Sequence, residues 1–149
     1  MKKFLRLMLI AMLVFSACGK DGKDGRDTVF VVRDFHVPSQ TNNWQITNDD
    51  LMGSFFECRV LVEEITGDVF DNGAIICYLL QNVNYGASTS VVYTPLPFTF
   101  FGEDEGYLYS ENYTFEVSPR YINFIVKVSD FDTGAQLPLD CTFRVVIMR

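Results

Sequence analysis

The chain has 149 residues with 12 basic and 19 acidic side chains, so its formal net charge is −7. This balance argues against binding to nucleic acid or to an anionic membrane face, because both partners are negatively charged. The length favours one folded domain. The sequence has one histidine, no Cys-x-x-Cys pair and no phosphate-loop motif, so we expect no metal site and no cofactor.

The first 17 residues are typical of a secretory signal peptide. Three basic residues lie among the first six, nine apolar residues follow over 7–15, and small residues precede Cys18. The apolar run is shorter than the about 20 residues that a membrane-spanning helix needs. The segment resembles bacterial lipoprotein signals, although Phe15 stands where those signals usually have leucine. The resemblance implies cleavage before Cys18, lipidation of Cys18 and a mature charge of −10, since three basic residues are removed. A non-lipidated signal or an uncleaved anchor is the alternative.

Residues 18–27 contain the triplet Gly-Lys-Asp twice and Gly-Arg-Asp once. Glycine at every third position is typical of collagen, but a triple helix also relies on proline, and these triplets contain none. We interpret the segment as a hydrated, flexible tether with an average span of about 15–18 Å. A seed for trimer formation or an export signal next to the lipid is the alternative.

From Thr28 onward the sequence is rich in β-branched and aromatic residues, without a sustained apolar period of 3.6 residues. It predicts about seven strands, at 28–37, 54–65, 74–81, 90–94, 107–117, 121–129 and 141–148. Turn residues separate these strands, and the stretch from Gly102 to Gly106 is typical of a loop. We therefore predict that 28–149 is an all-β domain, an immunoglobulin-like antiparallel β-sandwich, with a small β-barrel as the alternative.

The segment around Gly73 combines a turn with a central strand. Residues 74–81 are almost wholly apolar, as expected for a strand that is buried on both faces. Asp71-Asn72-Gly73 before it is typical of a turn, and we expect a positive φ at Gly73. Residues 107–117 are predicted as one bent strand or as a hairpin around 110–112.

Several segments resemble a group of small, uncharacterised lipoproteins of Bacteroidota. The matching segments are the cysteine with its Gly-Lys-Asp leader, Ile65-Thr66, Asp71 to Leu79, Leu96-Pro97-Phe98 and Phe143 to Ile147. The resemblance implies an immunoglobulin-like sandwich anchored by lipid in the cell envelope, at the outer membrane and facing the periplasm or the surface. It implies no particular activity. Asp27-Thr28-Val29 also resembles the short O-glycosylation motif of these bacteria, which makes Thr28 a candidate modification site.

Three cysteines remain when Cys18 is set aside, so at least one thiol is unpaired within the chain. Cys58 and Cys141 lie on the apolar side of predicted strands, and Cys77 lies in an apolar run. We predict buried free thiols that pack as small hydrophobic groups. One disulfide, between Cys58 and Cys77, is the alternative. A catalytic thiol is disfavoured because the only histidine in the sequence is His36.

Aromatic side chains are the main functional hint. Trp44 lies in a loop region, and Tyr107 and Tyr109 share one face of a predicted strand, so these three are candidate ligand-binding aromatics. Packing in the core or at an edge is the alternative role. We predict a lipid-anchored, non-enzymatic binding or structural domain with a protein or glycan partner. A carbohydrate-binding accessory protein in glycan uptake is the first alternative, and a hydrolase with paired carboxylates is the second.

Overall fold

The computed structural model describes residues 30–51, 53–104, 106–129 and 137–149. The predicted signal peptide (1–17), the tether (18–27) and Thr28 lie outside these ranges. The elements in chain order are β1 (Phe30–Val37), β2 (Gln45–Asp49), β3 (Gly53–Leu61), α1 (Gly67–Asn72), β4 (Ala74–Tyr85), β5 (Ser88–Pro95), β6 (Phe98–Asp104), β7 (Tyr107–Ser118), β8 (Tyr121–Val128) and β9 (Cys141–Met148).

The strands form two antiparallel sheets. One sheet has the order β1-β9-β4-β5, and the other has the order β2-β3-β8-β7-β6. The predicted β-sandwich is confirmed, and the described strands do not close into the alternative barrel. They number nine rather than about seven, because the sequence patterns at β2 and β6 do not predict strands.

The core lies between the sheets and consists of residues at alternate strand positions. Ile122, Phe124 and Val126 of β8 are buried, as are Phe143 and Val145 of β9. The rings of Phe124 and Phe143 stack across the sheets with 4.0 Å between their centroids. Burial of one phenylalanine side chain contributes about 1.5–3 kcal/mol, so this pair holds the two sheets together at their centres.

Strand β6 extends through the segment that the sequence predicts as a loop. Gly102 lies within the strand, and the ring of Tyr109 on β7 covers it so closely that a Cβ atom would clash with the ring. An aromatic residue across a strand pair compensates for the weak strand preference of glycine. The turn is confined to the residues beside Gly106, whose φ is +87°. Strand β7 is continuous, so the alternative hairpin around 110–112 is wrong.

Helix α1 corrects the prediction for Gly73. Thr66 caps the helix, because its Oγ1 accepts a hydrogen bond from the backbone N–H of Val69 at 3.2 Å. Gly73 follows the helix with a φ of −95°, so the predicted positive φ is wrong. Glycine is required there for space, because a Cβ atom would collide with the carbonyl oxygens of Val69 and Met148.

The sandwich has two distinct ends. At the N-terminal end Phe30 pairs with Met148, and the segment that carries α1 passes from one sheet to the other. An ion pair between Arg33 and Glu64 ties this segment to β1. The β4–β5 and β6–β7 hairpins turn at the opposite end, which we call the hairpin end. In the described part of the chain, no helix has the length and apolar content needed to cross a bilayer.

Candidate functional site: a polar cleft on the five-stranded sheet

Outward-facing polar residues of the five-stranded sheet form an open cleft of about 300 Å³, which we call the polar cleft. Its lining residues are Gln45, Glu57, Arg59, Glu116, Val117, Ser118 and Asn123. The strand register brings them together. Gln45 pairs with Glu57, and Asn123 pairs with Arg59 on one side and Glu116 on the other. The polar cleft therefore runs across β2, β3, β8 and β7, which are adjacent in the sheet.

The carboxylate of Glu57 is held in place from two neighbouring strands. Thr47 on β2 donates its hydroxyl hydrogen to Oε1 of Glu57. Asn123 on β8 donates from Nδ2 to Oε2 of Glu57 at 2.7 Å. A carboxylate has about four lone-pair sites, so Glu57 keeps acceptor capacity beyond these two hydrogen bonds.

Arg59 and Glu116 supply the remaining charges of the polar cleft. The guanidinium of Arg59 lies over the ring of Tyr121, with 4.2 Å between its central carbon and the ring centroid. Such a cation–π contact contributes about 0.5–1 kcal/mol at an exposed site and orients the arginine. Glu116 is exposed on β7. The polar cleft thus combines two carboxylates with one cation.

Asn123 carries a buried acceptor without a partner. Its Nδ2 is used on Glu57, and its Oδ1 has no hydrogen-bond donor among the residues of the described ranges. Leaving a buried polar atom unpaired costs about 1–3 kcal/mol. Because the unpaired oxygen is buried, the role of Asn123 in the polar cleft is the hydrogen bond from its Nδ2 to Glu57.

The two carboxylates bear on the hydrolase alternative, which needs a pair of acids in one cleft. Glu57 and Glu116 both line the polar cleft. Both hydrogen bonds of Glu57 use it as an acceptor, whereas a general acid must donate a proton. Glu57 is therefore held as an acceptor, and Glu116 is the other acid that lines the polar cleft.

The structure changes the role of Trp44. Its side chain is 2% exposed and belongs to the core cluster with Phe56 and Phe124. The ring has no face available for stacking on a ligand, so the prediction of a ligand-binding Trp44 is wrong and the packing alternative applies. Burial of this large apolar ring outweighs the cost of its Nε1, which has no partner in the described residues.

Tyr107 and Tyr109 lie at the hairpin end, away from the residues that line the polar cleft. Tyr107 is 80% exposed, and Tyr109 is partly buried against Gly102. Tyr109 therefore has a packing role. A ligand-binding role for either tyrosine stays a prediction. Cys18 and Thr28 lie outside the described residues, so their predicted modifications stay predictions as well.

Cys58, Cys77 and Cys141 are all buried and free. The alternative of a Cys58–Cys77 disulfide is wrong, because both cysteines are free thiols that pack as core residues. Burial raises the pKa of each thiol, to about 12 for Cys77 and for Cys141. Thiols in this state are poor nucleophiles at neutral pH, in agreement with a packing role.

Within the ranges that the structure describes, no three histidine, cysteine, aspartate or glutamate side chains are placed to share a metal ion.

Comparison with known proteins identifies no relative of this chain. No protein-family model, curated protein or solved structure matches this chain.

Proposed function

We propose that this chain is a lipid-anchored lipoprotein of the cell envelope and that its β-sandwich is a non-enzymatic binding domain. The polar cleft is its ligand site. The observation that carries the proposal is the fixed carboxylate of Glu57, which Thr47 and Asn123 hold from two sides. A binding group that is already in position loses little freedom when a ligand arrives, which favours affinity.

The anchor is the lipid on Cys18. It holds the domain at the outer membrane, on the side of the periplasm or of the cell surface. Each buried methylene contributes about 0.8 kcal/mol, and a single chain gives only marginal binding. The resemblance to bacterial lipoproteins implies two or three chains on the cysteine. The acidic chain then needs no basic surface to stay at the membrane.

The anchoring part is tested with Cys18→Ser, exported from the same cells as the parent protein. The parent is expected in the membrane fraction and the variant in the soluble fraction, because the variant has no thiol to receive a lipid. A variant that still partitions with membranes rejects the lipid anchor. The buried thiols leave the readout unaffected, since both proteins retain all three of them.

Carbohydrate binding, as an accessory to glycan uptake, is a second candidate that the polar cleft favours. Sugar hydroxyl groups can donate to carboxylate and amide oxygens, and Glu57, Glu116 and Gln45 provide these acceptors. The stacked pair of Arg59 and Tyr121 borders them with a flat surface.

Glycan-array screening of the parent protein tests this candidate, with Glu57→Gln as the site variant. We expect the variant to bind at least about tenfold more weakly, equivalent to about 1.4 kcal/mol. Glu103→Gln, an exposed acid at the hairpin end, is the matched control and should bind like the parent. Absence of a glycan signal in the parent rejects carbohydrate binding. Cleavage of a bound glycan rejects the non-enzymatic role.

A further inference from the structure

The four-stranded sheet has an apolar outer face that the sandwich leaves open. The sequence of β4 predicts a strand buried on both faces, yet only its inward residues, such as Cys77 and Leu79, are buried. On the outward side Ile76 is 36% exposed, and Tyr78 and Leu80 are partly exposed. The composition of β4 therefore fits a strand that is covered on its second face as well.

The exposed apolar surface continues across all four strands. We call it the outer apolar face and define it by Phe30, Val32, Val146, Ile76, Val91 and Tyr93, which come from β1, β9, β4 and β5. Val32, Val146 and Ile76 lie in one row of the register. Phe30 is 62% exposed, Val91 55% and Tyr93 50%. A contiguous apolar surface of this kind marks an interaction site.

The charges on the outer apolar face cancel. Arg144 and Asp34 form a bidentate ion pair with both N···O distances at 2.7 Å. The guanidinium of Arg144 also lies 4.5 Å from the ring centroid of Tyr93, and the Tyr93 and Tyr78 rings make an edge contact at 6.4 Å. An acidic protein can therefore present this face to another acidic molecule without strong repulsion. Tyrosine and arginine are also the residues that most often dominate interface energies.

We propose that the outer apolar face binds a second copy of this chain, face to face, around a two-fold axis. Strands about 4.8 Å apart with about eight residues of about 3.3 Å each give a face of about 500 Å² for four strands. Two such faces bury about 1,000 Å², which is the lower limit for a specific interface. A two-fold interface uses the same surface twice, and an apolar surface whose Arg144–Asp34 pair is neutral meets that requirement without a complementary patch elsewhere.

The orientation of the two copies follows from the uneven distribution of apolar residues. Phe30, Val32, Ile76 and Val146 lie toward the N-terminal end of the face. The rows toward the hairpin end carry Asn82 and Asn84, with Val91 as the apolar exception. An axis parallel to the strands sets apolar rows against apolar rows, whereas a perpendicular axis would set them against the asparagines. The parallel arrangement also directs both N-termini to the same side, which suits two chains anchored in one membrane if the proposed anchor is correct.

The test is the molar mass of the exported chain carrying Cys18→Ser, measured by sedimentation equilibrium over a range of concentrations without lipid. We expect a dimer in the parent background and at least tenfold weaker association for Ile76→Asp. Val91→Asp, at a more exposed position, should weaken association in the same way if Ile76→Asp impairs folding. Phe101→Asp is the matched control, because Phe101 is 78% exposed but lies on the other sheet.

A monomeric parent at every concentration overturns the proposal, even if another protein or a membrane binds the same face. A dimer that Phe101→Asp dissociates and Val91→Asp leaves intact also overturns it, because the interface would then lie at the β6–β7 hairpin. Dimerisation in this experiment does not depend on the polar cleft or on lipidation. A failure of the dimer proposal is therefore distinguishable from a failure of the proposed function.

Discussion

The two outer faces of the sandwich differ although the strands beneath them share one core. The five-stranded sheet presents the polar cleft, where Asn123 donates a hydrogen bond to Glu57 and Arg59 lies over the ring of Tyr121. The four-stranded sheet presents the outer apolar face, with Ile76 and Val91 exposed to solvent. The core requires apolar residues only at the inward positions of each strand. The outward positions can therefore differ between the sheets, and they are polar on one face and largely apolar on the other.

The largest expected effect is a loss of stability at alkaline pH, which acts on the core that both faces share. Burial raises the pKa of Cys77 and Cys141 from 9.0 to about 12. Each thiol is protonated in the folded state and ionises at lower pH when unfolded. Its contribution is therefore complete below about pH 9 and is lost as the pH rises toward about 12. The free energy of unfolding should fall by about 1.4 kcal/mol per pH unit for each thiol.

Denaturant unfolding between about pH 8 and pH 11, below the folded-state pKa of Cys77 and Cys141, measures this slope. Cys77→Ala should reduce the slope by the share of one thiol, about 1.4 kcal/mol per pH unit, whatever its effect on stability at neutral pH. An unchanged slope in Cys77→Ala contradicts the assignment of the alkaline loss to the thiols.

The second prediction compares a core residue with an exposed residue of the same type. Phe124→Ala removes the ring that stacks on Phe143 and should lower the free energy of unfolding by about 3–5 kcal/mol. Phe101→Ala, at a 78% exposed position, should change it by less than about 0.5 kcal/mol. Thermal and urea unfolding of both variants measures the difference. Equal effects would contradict the described burial.

The third prediction compares asparagines on the two outer faces. Asn123→Ala removes the donor to Oε2 of Glu57 together with the buried, unpaired Oδ1, so the two effects offset each other and the free energy of unfolding should change by less than about 1 kcal/mol. It should also weaken any ligand of the polar cleft. Asn82→Ala on the four-stranded sheet, where the side chain is exposed, should change both quantities little. A similar ligand affinity in the two variants would show that the polar cleft is not the binding site.

The smallest expected effect concerns the ion pair on the outer apolar face. The hydrogen bonds from Arg144 lower the pKa of Asp34, so its contribution is present above the unfolded pKa and is lost as the pH falls through the folded one. Because the pair is partly exposed to solvent, Asp34→Asn should cost less than about 1 kcal/mol. Urea unfolding at neutral and at acidic pH checks this, and the gap between parent and variant should narrow in acid. A gap that widens in acid contradicts the assignment.

The strand predictions succeeded where the apolar alternation was strong. Strand β9 has the predicted bounds Cys141–Met148, and β7 and β8 differ by one residue at their C-terminal ends. Strand β2 was missed because Gln45 to Asp49 is short and mostly polar, so only its pairing with β3 makes it a strand. Strand β6 was missed because its glycine and acidic residues are typical of a turn, and Tyr109 on the next strand compensates for Gly102.

The polar cleft was not predicted, and its residues show why. Cys58 lies on the apolar side of its strand as predicted, and alternation puts its neighbours Glu57 and Arg59 on the opposite side. Asn123 and Glu116 come from strands more than 50 residues away in the chain, and only the register aligns them with Glu57. Trp44 shows the reverse case, because a loop position in the sequence became a core position once the sheets closed over it.

The sequence by itself determined which strand positions face inward, because every second residue of a strand points to the same side and apolar side chains leave water. It also supports the prediction of a lipid at Cys18, which depends on local residues alone. The tertiary structure decided which outward residues meet, since pairing between distant strands sets the neighbours of each side chain. The polar cleft and the outer apolar face are both products of that register, and local sequence carries no record of it.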